Sequence, residues 1–353
     1  MQGWAEERTQ MDTPLVTVLV PTWNGAVHLR ATLRSILTQS YKNLQVVVGD
    51  DASTDDTPSI LAAVAEADPR VEVVTHPVNG GQFVNQLALL ERVRGEFVKF
   101  VMHDDVLATD HVRVLVRGLQ AHPEARMAFS RRLHVDASGK EIPGSAERPL
   151  ADRSGLLDGS DLVVRCLRAG ANLVGEPTTV LMRSADLAAA TEDLGFLDGE
   201  TLWTLTDFTM WLRLLARGPA FYSPDALSRF RHHATQDSAD ARLISRGLLD
   251  WPRVVDWAHR SGLLADPGDR RAAYAQVLGR CAAWLIGPAG ADLGGPAARA
   301  ALLCLVGMHE VDAGVVGGDP DVPLALRAGA APVGALLGTS VPAHVDSGLE
   351  LVS

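Results

Sequence analysis

Two acidic pairs follow apolar runs that read as buried strands. Asp50-Asp51 comes after residues 44–48 (LQVVV), and Asp104-Asp105 closes residues 97–105 (FVKFVMHDD). A carboxylate at the end of a buried strand is costly unless it is solvated or coordinated. Hard divalent cations prefer carboxylate oxygen, and Mg²⁺ takes one or two protein carboxylates together with substrate phosphates. A cation at Asp104-Asp105 would offset the charge that develops on a departing diphosphate. The same pair also suits a strand-terminating turn, and spacing leaves both readings open. In the first pair, one carboxylate suits a nucleobase N–H. Asp55, Asp56 and Thr57 need no more than a helix cap. Trp23 lies in a strand-to-helix turn, where an aromatic ring either stacks on a base or packs under the loop.

These residues need elements to position them. Residues 16–20 (VTVLV) form a continuous β-branched run, as buried parallel strands do. Leu29, Leu33, Ile36 and Leu37 repeat at helical spacing. Residues 44–48, 71–74 and 97–102 read as further strands, and a strand begins at 127–130. Thr57-Pro58 opens one intervening helix, residues 85–93 read as another, and Asp110 caps a third ending near His122-Pro123. The alternation predicts an α/β fold with a mostly parallel sheet and helices on both faces. Ligands of such open sheets bind beyond the carboxyl ends of the strands. That topology brings Trp23, Asp50-Asp51 and Asp104-Asp105 to one edge. Residues 131 to about 235 lose the alternation, keeping a strand at 179–182 and a helix at 208–216. From about 236 onward the chain reads as helical.

Composition narrows the class. Of the 353 residues 47% are hydrophobic, enough for a sizeable core, and the net charge is −11. An acidic chain is a poor binder of nucleic-acid backbones, although a metal can still bring in a small anion. Three scattered cysteines, Cys166, Cys281 and Cys304, favour neither a disulfide framework nor a thiolate zinc site. They fit a reducing cytoplasm. The N-terminus lacks the apolar core of a secretory leader. The apolar stretch 301–308 is too short to span a bilayer. A cytoplasmic protein without an integral membrane segment is expected, peripheral to the inner membrane face at most.

Residues 16–57, VTVLVPTWNGAVHLRATLRSILTQSYKNLQVVVGDDASTDDT, resemble the opening of the family 2 glycosyltransferases, whose fold is called GT-A. The family pattern is a strand, P-x-Y-N, a helix, S-x-L-x-Q-x-Y, a second strand and D-D-x-S-x-D-x-T. Here these positions read Pro21-Thr22-Trp23-Asn24, Ser35 through Tyr41, and Asp50 through Thr57. The likeness continues through Asn79, Gly81, Asn85 and Gly95-Glu96-Phe97 to Asp104-Asp105. It covers residues 15–130 densely and 175–238 more loosely. Three positions depart from the pattern. Trp23 replaces tyrosine, His103-Asp104-Asp105 stands for D-x-D-D, and Thr206 replaces a glutamate.

The resemblance implies an inverting transfer from a UDP-sugar, with Mg²⁺ or Mn²⁺ as cofactor. It assigns Asp51 to the uracil and Trp23 to stacking beside it. Pro21, Asn24 and Asn85 line the donor site. Asp104 would face the sugar and ribose, and Asp105 would ligate the metal. Thr206 through Arg213 is similar to E-D-x-x-x-W-x-R, which puts the catalytic base on Asp207; read without the family, Asp207 is a helix cap. Phe230-Arg231-His232-His233 is similar to Y-R-x-H. His233 is then a metal or phosphate contact, with His232 as the competing histidine, and Arg231 a phosphate partner; a solvated basic loop explains the segment equally. Gly175-Glu176-Pro177-Thr178 is similar to an acceptor-side G-E-P-[ST]. Trp211 shares a helix face with Leu212 and Leu215, which reads as core, and is also carried as an acceptor-side aromatic.

The expected organisation is an arm (1–14), a nucleotide-sugar half (15–130), an acceptor and base half (131–238) and a helical region (239–353). The helical region would form a homodimer interface or shape the acceptor side. The resemblance leaves the expected sugar as a hexose or N-acetylhexosamine. The acceptor is a polysaccharide or glycolipid precursor, or a secondary metabolite from a high-GC bacterium. A nucleotidyltransferase would carry a basic Gly-rich loop after the first strand, and none precedes Arg30. A non-catalytic sugar-nucleotide binder could keep Trp23 and Asp51 and would need no base.

Overall fold

The structure is a computed structural model that describes residues 13–236, 239–288 and 290–313. Of the sequence-defined arm, residues 1–12 lie outside the described residues, as do 314–353 of the helical region. The chain divides into two compact units, one ending at Ile244 and the other beginning at Ser245.

In the first unit the elements run β1 (Val16–Thr22), α1 (Leu29–Leu37), β2 (Leu44–Asp50), α2 (Thr57–Ala67), β3 (Val71–Thr75), α3 (Gln82–Leu90), β4 (Phe97–Phe100), β5 (Val106–Leu107), α4 (His111–Ala121) and β6 (Met127–Val135). Then come β7 (Gly155–Leu157), α5 (Gly159–Ala169), β8 (Val180–Arg183), α6 (Leu187–Ala190), β9 (Phe196–Leu197), β10 (Glu200–Thr201), α7 (Thr206–Leu215) and β11 (Ala220–Arg231). Helix α8 (Ala241–Gly247) follows. The second unit holds α9 (Asp250–Arg260), α10 (Pro267–Ile286) and α11 (Gly290–Asp312).

A nine-stranded sheet carries the first unit, in the order β3-β2-β1-β4-β8-β6-β11-β5, with β7 beside β11. β1 is parallel to β2 and β4, β2 to β3, and β6 to β11. β8 lies antiparallel between β4 and β6. β1, β2, β3, β4, β6 and β11 therefore all point one way. Their carboxyl ends share one edge, which is where the polar clusters sit. β1 and β2 are buried along their whole length. That is the reason their sequences are continuous apolar runs rather than alternating ones. Leu29, Leu33 and Ile36 of α1 and Val112, Leu115 and Val116 of α4 complete the core.

Several boundaries and caps differ from expectation. α3 starts at Gln82, three residues before Asn85, behind Gly81 at φ +85°. Asp110 stands at the start of α4, but its carboxylate takes the Ser40 hydroxyl and Arg113 instead of a helix N–H. β11 was not anticipated at all. Ser223-Pro224-Asp225 interrupts its pattern, and the ladder to β6 shifts register on either side of Ala226. A strand proline cannot donate to a ladder and sits at such irregularities. The amphipathic α5 was also unread; it starts on an Asp158 cap to Asp161 N (2.9 Å) and ends at left-handed Gly170.

In the second unit α10 opens on an Asp266 cap followed by Pro267. It packs on α11 so closely that a Cβ at Gly307 would lie 2.4 Å from the Tyr274 ring. Among the described residues no helix is long and apolar enough to cross a membrane.

Candidate active site

The β1 and β2 ends are tied to each other before any ligand is considered. Asn24, at φ +49°, accepts the Thr54 N–H through Oδ1 (2.8 Å), and its own N–H donates to the Ser53 hydroxyl (2.8 Å). Asparagine is among the few residues that take this conformation routinely. Asp55 accepts from Ala26 N (3.1 Å) and Thr57 N (2.9 Å). Asp55 is thus more than the helix cap expected, since it bridges two loops. Asp56 occupies the cap position of α2, with no side-chain bond. Asp51 is 2% exposed and accepts from Gly80 N (2.9 Å) and Gly81 N (2.8 Å), which pins the β3–α3 loop against the β2 end. Asn85, also buried, donates to Gly49 O (2.9 Å) and faces His76 (3.2 Å). A Cβ at Gly49 would meet Asn85 Oδ1 at 2.1 Å, so this contact needs the glycine. Pro21 is buried in β1, whereas Trp23 stands 52% exposed beside these loops, free to present a ring face.

The Asp104-Asp105 pair divides. Asp105 is fully buried. Its Oδ2 accepts the Thr178 hydroxyl (2.6 Å) and its Oδ1 the Arg231 N–H (3.0 Å). Burial, and then the neighbouring Asp104, push its carboxyl well above the usual carboxylate range. With both carboxylate oxygens engaged and no exposure, Asp105 presents no oxygen to a cation, so the expected metal role does not fit it. Asp104 keeps some exposure to solvent. Its Oδ2 stands 2.9 Å from His233 Nε2, and both side chains are partly exposed. Donors at right angles on an octahedral ion with bonds of about 2.1 Å stand about 3 Å apart. The two groups are hydrogen-bonded at this distance, and the same spacing would let them share one cation, the carboxylate oxygen suiting Mg²⁺ or Mn²⁺ and the imidazole favouring a transition ion over Mg²⁺. No cluster of three or more such ligands exists among the described residues. A cation here would therefore rely on ligand phosphate for the rest of its shell.

His232 turns away, placing Nε2 2.8 Å from His134 Nδ1. Arg231 is also not the phosphate partner expected. It is 5% exposed, and its guanidinium donates to the carbonyls of Asp104 (2.8 Å), Ala137 (3.1 Å) and Asp136 (3.3 Å). It braces the backbone that carries Asp104.

Thr178 supports the same spot from below. Its hydroxyl accepts from Met102 N (3.1 Å) while donating to Asp105, and its carbonyl accepts from Lys99 (2.8 Å). Lys99 lies fully buried in the middle of β4 against His111, and burial holds its amine well below the usual lysine range. His111 Nδ1 contacts a carbonyl oxygen, Leu227 O, so it must carry the proton, leaving Nε2 to accept from Lys99.

The other half of the site gathers around Asp207, the second residue of α7. Its Oδ1 accepts the Phe208 N–H (2.8 Å), and its Oδ2 accepts from Asn172 Nδ2 (3.2 Å). Burial pushes its carboxyl up to about 7, helped by Glu176 and opposed by the Phe208 N–H and Arg132. The Thr206 hydroxyl beside it is buried without a hydrogen-bond partner among the described residues. Glu176 lies against Arg132 (3.0 Å), which also grips Glu147 (2.6 Å). Burial raises Glu176, and Arg132 holds it down. Arg132 Nη1 comes so near Gly175 that a Cβ there would be 2.1 Å away, and Gly175 sits at φ +104°. The positive φ calls for glycine, and a side chain there would also displace the Arg132 guanidinium. Trp211 is fully buried and donates from Nε1 to Gly175 O (2.9 Å), so it is core support for this loop and no acceptor platform. Sequence reading passed over Asn172, Arg132 and Glu147. Asn172 and Glu147 lie in irregular segments, and Arg132 is a charged residue inside β6, where neither period nor motif marks it as functional.

Residues 17–166 match the family model described as glycosyl transferase family 2. The uncharacterized protein MT1568 of Mycobacterium tuberculosis is 31% identical over 72% of this chain and 77% of its own length. The putative teichuronic acid biosynthesis glycosyltransferase TuaG of Bacillus subtilis is 35% identical over 33% of this chain, which spans 45% of TuaG. Among solved structures, S. aureus TarS 1-349 in complex with UDP-GlcNAc superposes with a TM-score of 0.61 at 19% identity, covering 84% of this chain and 81% of that one. The fold is GT-A. The chain belongs to glycosyltransferase family 2.

Proposed function

We propose that the protein transfers a sugar from a UDP-sugar to a hydroxyl or amine acceptor with inversion, Asp207 serving as general base. The observation that carries this reading is Asp207 itself. It is a carboxylate raised to about 7 by burial beside Glu176, and a base is most effective when its pKa lies near the working pH. In the reaction Asp207 takes the acceptor proton as the acceptor atom attacks the anomeric carbon, on the face opposite the diphosphate. The bond from that carbon to the β-phosphate oxygen breaks, its electron pair leaves with UDP, and the proton remains on Asp207.

Asp104 and His233 would hold a divalent cation, which supplies charge neutralisation to the diphosphate. Their 2.9 Å spacing supports this assignment. It also moves the metal role from Asp105 to Asp104. Trp23 offers an exposed ring for the base. Pro21, Asn24, Asp51 and Asn85 act as the framework of that donor end, and Glu176 faces the acceptor. The uridine reading draws on the family resemblance and on TarS, solved with UDP-GlcNAc. A surface-polymer precursor is the acceptor class favoured by TuaG, named for teichuronic acid biosynthesis.

Asp207→Asn tests the reading. Donor binding should persist while turnover falls about 10²–10⁴-fold. Near-normal turnover would remove Asp207 as base, and UDP binding with no transfer by the wild type to any acceptor would favour a non-catalytic sugar-nucleotide binder.

A further inference from the structure

Asn172 uses both ends of its amide beside the base. Its Oδ1 accepts the Gly175 N–H (3.0 Å). Its Nδ2 donates to the Gly175 carbonyl (3.0 Å) and to Asp207 Oδ2 (3.2 Å). The orientation of the amide is not arbitrary. Gly175 N can only donate, which fixes Oδ1 on that side and leaves both Nδ2 protons for the two acceptors. One of those acceptors, Gly175 O, is held from the other side by Trp211 Nε1 (2.9 Å).

We infer that Asn172 is a positioning residue for the transfer: its amide locks the loop of residues 172–175 and, with its remaining proton, fixes and stabilises the ionised carboxylate of Asp207. The inference rests on the reading of Asp207 as base. The loop continues directly into Glu176, so one side chain couples the base to the acceptor-side segment. A hydrogen bond donated to a carboxylate favours its charged form. Asn172 therefore works against the burial that raises Asp207 and enlarges the ionised fraction able to accept a proton. The charged groups that face Asp207 are Glu176, which opposes ionisation, and Arg132, which favours it. Helix α5, packed on α7, carries Asp161, Arg165 and Arg168; Asp161 and Arg165 face each other at 4.0 Å. From the segment before α6, Asp186 faces Arg126 (3.6 Å).

The test is a titration of the Asp207 carboxyl by ¹³C NMR in the full-length protein, with Asp207→Asn identifying the resonance. In Asn172→Ala the midpoint should rise by about half a unit or more, because the donor is gone. In Asn172→Asp it should rise further, since a second carboxylate replaces that donor. The acidic limb of kcat/KM should move with it. An unmoved midpoint in a folded Asn172 variant overturns the inference. If neither variant folds, the wild type decides the matter. There, the Asn172 side-chain amide protons should shift with the midpoint of Asp207, and that transition should vanish in Asp207→Asn. Amide protons that stay flat across the midpoint overturn the inference. Full turnover by Asp207→Asn would instead sink the base assignment, leaving Asn172 as a loop clamp.

Discussion

Asp207 is where a single residue's environment translates most directly into behaviour. Its folded-state value of about 7 lies above the ordinary 3.8, so the folded chain holds this proton more tightly than the unfolded chain does. Two consequences have opposite signs. With Asp207 as the proposed base, activity needs the ionised form, so kcat/KM should rise with pH through a limb near 7. Stability behaves the other way: this group's contribution is fully present below about pH 4 and is lost as pH rises through 7. Thermal unfolding should show Asp207→Asn with a shallower loss of stability over that window than the wild type. Equal slopes would mean that the carboxyl is not perturbed. At Asp104-Asp105 the sequence disclosed the chemistry and not its division. Neighbouring residues in a turn face different ways, and only the contacts to Thr178 and Arg231 reveal which one is inside. Asp105→Ala would leave the Thr178 hydroxyl and the Arg231 N–H without their partner, costing about 1–3 kcal/mol for each buried group left unsatisfied. Asp104→Ala, at a partly exposed carboxylate, should cost far less stability in a denaturant melt.

Among the elements, those of the first half were legible because strands buried on both faces are long apolar runs separated by polar turns. β1, β2 and β4 announce themselves in this way. β11 does not, because Pro224 and two register shifts break the run. Yet β11 delivers Arg231, His232 and His233 to the same edge as β4. α4 crosses β11 at Gly118, where an added Cβ would lie 2.2 Å from the Phe221 ring. Alanine normally stabilises a helix interior by about 1 kcal/mol over glycine. Here the clash should win, since overpacking a core costs about 1–3 kcal/mol. Gly118→Ala should lower the unfolding midpoint; a raised midpoint would show that Phe221 moves aside freely.

For the molecule as a whole, the strand order explains why motifs far apart in sequence converge. β1, β2, β4 and β11 run in one direction, so their following loops meet at one edge. Composition indicated a sizeable core and the strand–helix alternation an α/β chain, whereas no periodic signal could have indicated the loop of Asn172 or the Arg132–Glu147 contact. The net charge of −11 makes the protein an unpromising host for a diphosphate by itself. The proposed function supplies the attraction through a local cation, with Asp104 and His233 as its proposed protein ligands. Calorimetric titration of UDP tests that claim most directly, with Mn²⁺ and with chelator, on the wild type, Asp104→Ala and Asp105→Asn. Metal-dependent binding that Asp104→Ala abolishes and Asp105→Asn retains is the predicted result. Binding that is indifferent to chelator, or that is lost in Asp105→Asn and kept in Asp104→Ala, would contradict it.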